Sequence, residues 1–465
     1  MFGLKQDWME NEKMRLFGTD GIRGTANRFP MTPDVVLKVG QAMGYLLRKM
    51  QKPKGAQRMV LIGKDTRLSG YMLEQALSSG LNSMGINVNL TGPLPTPGIG
   101  FLARNMRADA GIVISASHNA FYDNGIKIFG ADGFKIPDSM EREIERLVNE
   151  VDLNTLLADS RQIGRSRRID DAAGRYIVYV KNTFPLELSL EGLRIVLDCA
   201  NGASYLAAPA IFGELGAEVI VLGDEPNGFN INDKVGALYP AKTVEAVLQY
   251  RADLGITLDG DADRVIMVDE KGGVVNGDHI LAICAAHLAK NNRLAGNTVV
   301  ATQMSNFGLD QALQKLGVQL VRTDVGDKHV VESMRRNGYN LGGEQSGHII
   351  HLDHSTTGDG CVAALNVLAV MRSEGKPLSE LKEMMEDMPQ VLINTRVSQR
   401  KDLTEIPGYQ SLLEKIVGEL GQEGRTFVRY SGTEPVIRVL VEGRDKKKIG
   451  QFAEEIAGLL QKELS

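Results

Sequence analysis

The chain has 465 residues, 43% of them hydrophobic, which is enough for about three or four domains. Its 53 lysines and arginines against 58 aspartates and glutamates give a formal charge of −5, without the basic footprint of a nucleic-acid-binding protein. No apolar run is long enough to span a membrane, and the N-terminus lacks the apolar stretch of a signal peptide. We therefore expect a cytoplasmic protein with neither nucleic acid nor membrane as a partner, and residues 1–13 as an N-terminal extension.

Apolar strand-like runs alternate with helix-like segments through most of the chain. The first group has strand-like runs and amphipathic patterns at 59–63, 71–84, 87–90, 110–115 and 139–151. The order restarts at 193–223, with a helical pattern near 205–215, and again at 297–326, with one near 306–316. This βαβ alternation predicts α/β units with mixed, mostly parallel sheets.

The last segment has a different order of elements. Strand-like runs at 391–399, 425–432 and 436–443 surround a helical pattern at 409–420, and a final helix follows. Such an order favours an antiparallel sheet with helices on one face. The predicted fold class is therefore α/β, with three similar α/β domains at 14–170, 171–268 and 269–387 and a smaller C-terminal α+β domain at 388–465.

Polar residues follow one apolar strand directly in the stretch GIVISASHN at 111–119. One serine could be a nucleophile held exposed where the strand becomes a loop. A polar turn that merely closes the strand is the alternative, and serine and asparagine are common turn formers. From the residues alone, the plain turn is the favoured interpretation.

Three aspartates alternate with small residues in GITLDGDADRVIMVD at 255–269. In an extended segment Asp259, Asp261 and Asp263 would face one way, so their carboxylates would converge. Converging carboxylates repel each other without a cation, and an all-oxygen ligand set suits Mg²⁺ completed by phosphate oxygens. A solvent-exposed acidic turn is the alternative, which the flanking apolar strands disfavour. The stretch therefore predicts a metal site.

Three further stretches carry polar groups whose signals are individually weak. RYSGTEPVIRV at 429–439 offers two arginines and hydroxyls around a glycine turn, which suits a phosphate as well as it suits a plain hairpin. LGGEQSGHII at 341–350 offers groups for hydroxyl recognition, and MRLFGTDGIRG at 14–24 places an arginine between glycines. His348, His351 and His354 are spaced for zinc only on a helix, and their neighbours favour a strand.

Together these stretches carry a family resemblance. TDGIRG, SASHN, DGDADR, GEQSGH and RYSGTEPVIRV, in this order and with these separations, strongly resemble the α-D-phosphohexomutases. The resemblance covers the chain from about residue 14 onward and leans toward the bacterial members that act on glucosamine phosphate. It implies four domains around a central cleft. It also implies interconversion of glucosamine 6-phosphate and glucosamine 1-phosphate, through a phosphoserine and a bisphosphorylated sugar, for amino-sugar synthesis.

The resemblance also implies the site residues. The catalytic residues would be Ser117 as the phosphoserine, Lys127 as the general base, Arg23 and His118. One Mg²⁺ per subunit would be held by Ser117, Asp259, Asp261 and Asp263. The hexosamine phosphate would be bound by Arg264, Glu344, Ser346, Arg429, Ser431, Gly432, Thr433 and Arg438. Glucosamine or glucose 1,6-bisphosphate would serve as activator and intermediate, and a homodimer is the candidate assembly.

Alternatives remain open at the level of sequence. A phosphoglucomutase or phosphomannomutase would differ at the sugar 2-position, whose contacts cannot be read from one sequence. A magnesium-dependent phosphatase would use Asp259 as its nucleophile, although Asp263 stands where such enzymes usually have threonine or valine. A non-catalytic sugar-phosphate-binding protein is a third alternative. The chain departs from the family pattern at Ala120, at 230–240 and at Lys328-His329, which leaves the sugar preference and a role for His329 as base open.

Overall fold

The computed structural model describes residues 15–18, 20–51, 57–431 and 435–465. Within these ranges the chain forms four β-sheets that follow one another along the sequence, of seven, five, four and three strands. The first three sheets have parallel strands at their centres and antiparallel strands toward one edge, as a mixed α/β arrangement requires. The fold class predicted from the sequence is confirmed.

The first domain holds the seven-stranded sheet in the order β1-β2-β6-β5-β3-β4-β7. Its strands are β1 (Phe17–Gly18), β2 (Gly21–Thr25), β3 (Met59–Lys64), β4 (Asn87–Pro93), β5 (Ala110–Ile114), β6 (Asp123–Gly130) and β7 (Ser166–Arg168). Its helices are α1 (Pro33–Lys49), α2 (Ser69–Ser83), α3 (Thr96–Asn105) and α4 (Asp138–Glu150). Apolar side chains cover both faces of the sheet, which explains why β5 is buried along its whole length.

The second and third domains repeat this layout on a smaller scale. The second domain comprises α5 (Ala172–Lys181), β8 (Arg194–Asp198), α6 (Ala207–Glu214), β9 (Glu218–Leu222), α7 (Ala241–Tyr250), β10 (Leu254–Leu258), β11 (Val265–Asp269) and β12 (Val274–Val275). The third comprises α8 (Gly277–Lys290), β13 (Thr298–Thr302), α9 (Phe307–Lys315), β14 (Gln319–Thr323), α10 (Asp327–Asn337), β15 (Leu341–Gly343), β16 (Ile349–His351), α11 (Gly360–Glu374) and α12 (Leu378–Lys382).

One predicted boundary falls inside a strand. Residue 268 lies in β11, which pairs antiparallel with β10 on one side and with β12 on the other. A β-hairpin shares one ladder of hydrogen bonds, so a domain cannot end between its strands. We therefore place the boundary between the second and third domains after Val275.

The C-terminal domain is an antiparallel sheet with helices, as predicted. It comprises β17 (Gln390–Arg396), α13 (Tyr409–Leu420), β18 (Gly424–Tyr430), β19 (Val436–Gly443) and α14 (Lys446–Leu464). Its hydrophobic core is separate from the continuous core that joins the first three domains. Polar contacts connect it to the third domain: the Glu442 carboxylate accepts a hydrogen bond from the Phe307 backbone N–H, and the Asn306 side chain bonds the backbone of Met388. No helix in the described part of the chain is long and apolar enough to cross a membrane.

Candidate active site

The serine loop, residues 115–122, begins where β5 ends in the first domain. Ser117 is 1% exposed and has φ 51°, in the left-handed region that residues other than glycine seldom adopt. Its backbone carbonyl accepts hydrogen bonds from Arg67 at 2.9 Å and from Asn232 of the second domain at 2.8 Å. Ser117 is thus fixed in a buried position, although the loop becomes exposed from Ala120 onward.

The three aspartates lie in the turn between β10 and β11 of the second domain. The sequence argument placed them on an extended segment, and this is wrong. The Ala262 backbone N–H donates to the Asp259 carbonyl at 3.0 Å, and Ala262 has φ 56°, so the chain turns tightly here. The carboxylates nevertheless converge, with one oxygen of each within 4.8 Å of the others, because the turn wraps around a point.

The serine loop and the aspartate turn meet across the boundary of the first two domains. The Ser117 hydroxyl donates to the Asp259 carboxylate, with 2.6 Å between Oγ and Oδ2. Gly260 permits this approach, because a Cβ there would lie 2.6 Å from the Ser117 carbonyl oxygen. Ser117 therefore lies beside the carboxylate cluster, as the resemblance implies.

The aspartate turn has the donor set of a divalent cation site. All three aspartates are buried, and the Oδ1 atoms of Asp261 and Asp263 have no hydrogen-bond partner. Unsatisfied buried carboxylate oxygens are costly, and a hard cation with oxygen ligands would satisfy them. The residues present therefore fit a bound Mg²⁺.

Lys127, from β6, is buried against the same cluster. Its Nζ lies 3.0 Å from Asp261 Oδ2, 3.0 Å from Asp263 Oδ2 and 3.3 Å from Asp20 Oδ2. Burial alone would lower the pKa of Lys127, but the three carboxylates outweigh it and hold the pKa well above its usual value. In this arrangement Lys127 is favoured as a cation, and its role as the general base, which would need a lowered pKa, stays a prediction.

The same charges set the protonation of the aspartates. Burial, followed by repulsion from Asp263 and Asp261, raises the pKa of Asp259 well above its ordinary value. Burial also acts on Asp263, but the positive charges of Lys127 and His348 hold its pKa well below the usual range. Burial among like charges therefore favours the protonated form of Asp259, whereas the neighbouring positive charges favour the ionised form of Asp263.

His118 lies beside the serine hydroxyl, and the charges of Arg264 and Arg23 act on its ring. Nδ1 of His118 lies 3.3 Å from Ser117 Oγ. Burial, together with the positive charges of Arg264 and Arg23, lowers the pKa of His118 to about 4, so its ring is neutral near neutral pH. The Nε atoms of both arginines are buried without a hydrogen-bond partner, which leaves donors for an anion.

The third domain contributes the GEQSGH stretch. The Glu344 carboxylate accepts a hydrogen bond from the Gly326 backbone N–H at 3.3 Å, and Ser346 Oγ is buried without a hydrogen-bond partner. His348 precedes β16, and its ring lies 3.7 Å from both Asp263 and Asp327, so it belongs to the reaction centre.

The fourth domain places two arginines side by side. Arg429 on β18 is the direct cross-strand partner of Arg438 on β19. Burial and the positive charge of Arg438 lower the pKa of the Arg429 guanidinium, as expected for like charges that face each other across two paired strands. Ser431 is 2% exposed at the end of β18. Gly432 and Thr433 lie outside the described residues.

Several residues of this site were not singled out from the sequence. Asp20 joins Lys127 to Lys135, which also pairs with Asp327. The stretch DTR at 65–67 was overlooked, although it follows β3 directly and β3 is parallel to β5. Because the carboxyl ends of neighbouring parallel strands meet at one sheet edge, this position was the available signal.

Family profiles match the chain in four consecutive stretches. They are described as phosphoglucomutase/phosphomannomutase alpha/beta/alpha domain I, at residues 14–155, domain II, at 174–273, domain III, at 276–388, and C-terminal domain, at 392–459. The order of these domains agrees with the order of the four sheets.

Proteins named phosphoglucosamine mutase are similar over nearly the whole length. The protein from Bdellovibrio bacteriovorus is 69% identical, covering 98% of this chain and 100% of the relative, and that from Myxococcus xanthus is 56% identical, covering 97% and 98%. Among solved structures, a phosphoglucomutase/phosphomannomutase family protein from Burkholderia thailandensis matches with a TM-score of 0.78 at 22% identity, covering 97% and 98%. N-acetylphosphoglucosamine mutase from Aspergillus fumigatus, solved with GlcNAc-6P and magnesium, matches with a TM-score of 0.67 at 18% identity, covering 97% and 96%. The chain therefore belongs to the phosphohexomutase family, and within it to the phosphoglucosamine mutases.

Proposed function

We propose that this enzyme interconverts glucosamine 6-phosphate and glucosamine 1-phosphate by way of a phosphorylated Ser117. The observation that carries the proposal is the 2.6 Å contact between Ser117 Oγ and Asp259 inside a buried carboxylate cluster. The names of relatives that are 55–69% identical over nearly the full chain support the choice of substrate.

The reaction consists of two phosphoryl transfers at one centre. In the first, the P–O bond to Ser117 breaks, the free sugar hydroxyl oxygen bonds to phosphorus, and the hydroxyl proton passes by way of a base to the departing Ser117 oxygen. The resulting 1,6-bisphosphate turns over in the cleft. In the second transfer, Ser117 Oγ takes the other phosphoryl group, and neutral His118, 3.3 Å away, accepts the serine proton, which then passes to the departing sugar oxygen. Enzyme and phosphoserine are regenerated, and the phosphate has changed position.

Charge stabilisation comes from cations around Ser117. Asp259, Asp261 and Asp263, together with Ser117, would hold one Mg²⁺, which supplies electrostatic withdrawal of charge from the transferring phosphoryl oxygens. Lys127 is held protonated beside these carboxylates and adds a second positive charge. Arg23 and Arg264, each with a buried Nε that has no hydrogen-bond partner, would add further donors for the phosphoryl oxygens.

The remaining residues suit the substrate's other end. Arg429 and Arg438, with Ser431, Gly432 and Thr433, would bind the phosphate that is not reacting. Glu344 and Ser346 would bind sugar hydroxyls. Because glucosamine 6-phosphate and glucosamine 1-phosphate each present one phosphate away from Ser117, a single anion site serves both orientations. Glucosamine or glucose 1,6-bisphosphate would act as activator by phosphorylating Ser117.

The test is a comparison of substrates on one preparation. The enzyme is phosphorylated with a trace of glucose 1,6-bisphosphate and Mg²⁺, and kcat/KM is measured for the 6-phosphates of glucosamine, glucose and mannose. We expect a strong preference for glucosamine 6-phosphate. A preference for glucose or mannose 6-phosphate would overturn the proposed substrate while leaving the phosphoserine chemistry in place.

A further inference from the structure

A closed ring of hydrogen bonds holds both backbone polar groups of Ser117. The Ser117 N–H donates to Ser115 Oγ at 2.9 Å, and the Ser115 hydroxyl donates to Asp65 Oδ2 at 2.6 Å. The same Asp65 oxygen accepts from Arg67 Nε at 2.7 Å, and a terminal nitrogen of Arg67 donates to the Ser117 carbonyl at 2.9 Å. The ring therefore returns to the residue from which it started.

Arg67 also donates hydrogen bonds to other backbone carbonyls in and next to the serine loop. Its side chain is 0% exposed, and its terminal nitrogens also donate to the carbonyls of Asn119, at 2.8 Å, Asp123, at 3.1 Å, and Ala120. An arginine buried this deeply is expensive unless all its donors are used, and here they bind successive carbonyls of one loop. From the second domain, Asn232 donates to the carbonyls of Ser117 and Asn119 at 2.8 and 3.0 Å.

The ring of hydrogen bonds holds Ser117 in an unfavourable backbone conformation. Ser117 adopts φ 51°, which costs a residue with a side chain about 1 kcal/mol or more and persists only where the surroundings impose it. Fixing both the N–H and the carbonyl of Ser117 fixes the direction of its side chain. That direction places Oγ 2.6 Å from Asp259, inside the carboxylate cluster.

We propose that Ser115, Asp65 and Arg67 are positioning residues that aim the Ser117 hydroxyl, or its phosphoryl group, at the carboxylate cluster. The family resemblance assigns Ser115 no role, whereas the ring makes its hydroxyl the link between the Ser117 N–H and the Asp65–Arg67 pair. The proposal rests on the proposed function, since it names Ser117 as the residue that is phosphorylated.

The test compares two serine-to-alanine variants of the full-length enzyme. Ser115→Ala removes the link in the ring. Ser78→Ala is the matched control, because Ser78 is also buried in the first domain and its hydroxyl bonds only the Glu74 carbonyl one helical turn away, at 2.6 Å. For each variant, kcat, KM and Tm are measured, together with the single-turnover rate of Ser117 phosphorylation by glucose 1,6-bisphosphate, followed by intact mass.

We expect Ser115→Ala to lower kcat and the phosphorylation rate about 10- to 100-fold, because a misplaced reacting group costs about that much. Its KM should stay within about twofold, because the groups that bind the sugar and the distal phosphate are untouched. Ser78→Ala should leave kcat nearly unchanged while lowering Tm by about as much as Ser115→Ala does. Equal kcat values in the two variants would overturn the proposal, as would a loss confined to KM.

Two further measurements keep the outcome decisive. If Ser115→Ala does not fold, the near-isosteric Ser115→Cys, whose thiol is a weak donor and acceptor, should show the same selective loss of kcat. Normal kcat in a folded Ser115→Cys would then contradict the proposal. Failure of the proposed function shows differently, as a wild-type enzyme that neither turns over nor becomes phosphorylated on Ser117.

Discussion

Lys127 Nζ bridges Asp261 and Asp263, at 3.0 Å from one carboxylate oxygen of each. The lysine comes from β6 of the first domain and the aspartates from the turn after β10 of the second. This contact therefore joins two domains and partly neutralises a buried cluster that also contains Asp259. Without a metal, the stability of the cluster depends on the cations around it, and Lys127 makes shorter contacts with its carboxylates than His348 or Arg264 does.

Replacing Lys127 should make the thermal stability of the protein depend on Mg²⁺. Lys127→Met removes the cation that pairs with Asp261 and Asp263 at 3.0 Å, and breaking a buried ion pair costs about 3–5 kcal/mol. We expect a large fall in Tm in the presence of EDTA and a larger Mg²⁺-induced rise in Tm than in the wild type, measured by differential scanning calorimetry.

Lys64→Met is the matched control for this prediction. Lys64 is also buried in the first domain, where its Nζ pairs with Glu74 at 2.6 Å. Its variant should lose stability without any added response to Mg²⁺. If Mg²⁺ stabilises both variants equally, the aspartate turn is not the cation site.

The roles of Ser117 and Asp259 can be separated by mutation. Ser117→Ala removes the phosphoryl acceptor, so isomerisation should fall by at least about 10³-fold, as for other covalent nucleophiles. Asp259→Ala should cause a similar loss. A phosphatase that uses Asp259 as nucleophile would instead tolerate Ser117→Ala. Near-normal isomerisation by a Ser117→Ala enzyme that carries no phosphate by mass spectrometry would refute the assignment of Ser117.

The paired arginines of the fourth domain should act on substrate binding. Arg429→Gln removes one charged donor to the distal phosphate, and such hydrogen bonds are worth about 1.5–3 kcal/mol, or roughly 10- to 100-fold in kcat/KM. It also relieves the repulsion from Arg438, so Tm without substrate should not fall. Steady-state kinetics and a thermal melt check both effects. Arg396→Gln, at an exposed arginine of β17, is the control and should leave kcat/KM unchanged.

Asp278 lies near the junction of the third and fourth domains, and we expect it to make the stability of the protein depend on pH. It is fully buried, and one of its carboxylate oxygens accepts from the Asn306 backbone N–H at 2.7 Å. Burial is the main cause that raises its pKa to about 7. The folded state thus prefers the protonated form. The stabilising contribution of that form is complete below the unfolded pKa of about 4 and is lost as pH rises through 7.

Asp278→Asn should remove this dependence. The amide oxygen can keep the bond to Asn306, and no charge is buried at high pH. We expect the difference in Tm between variant and wild type to grow from pH 5 to 7 and to level off above about 7.5. The full effect is on the order of 4 kcal/mol. A difference that is constant with pH would show that Asp278 is charged, or neutral, throughout this range.

Much of this protein follows from local sequence pattern. The helices and strands around 59–63, 110–115 and 409–420 were predicted because alternating apolar periods select one secondary structure. The aspartate turn was identified because three carboxylates in five residues need compensation wherever they are buried. The serine stretch, by contrast, read as a plain turn until the family resemblance singled out Ser117.

Contacts between distant segments could not be read from the sequence. The reason given for convergence of the aspartates was wrong, because the segment turns at Ala262 instead of extending. Lys127 was proposed as the general base, a role that needs a lowered pKa, yet carboxylates from two domains raise the pKa of this lysine. Both depend on which charges the fold brings within a few ångströms, and periodicity carries no information about that.

The sequence by itself therefore determined the elements, the class of fold and the types of chemical group available, because propensity, periodicity and residue chemistry are local. Only the tertiary structure decided how those groups act. It joined Ser115, Asp65 and Arg67 into a ring around Ser117, and it aimed the serine at an aspartate that lies 142 residues away in the chain. Hydrogen bonding and electrostatic interaction depend on distance in space, and the packing of domains sets that distance.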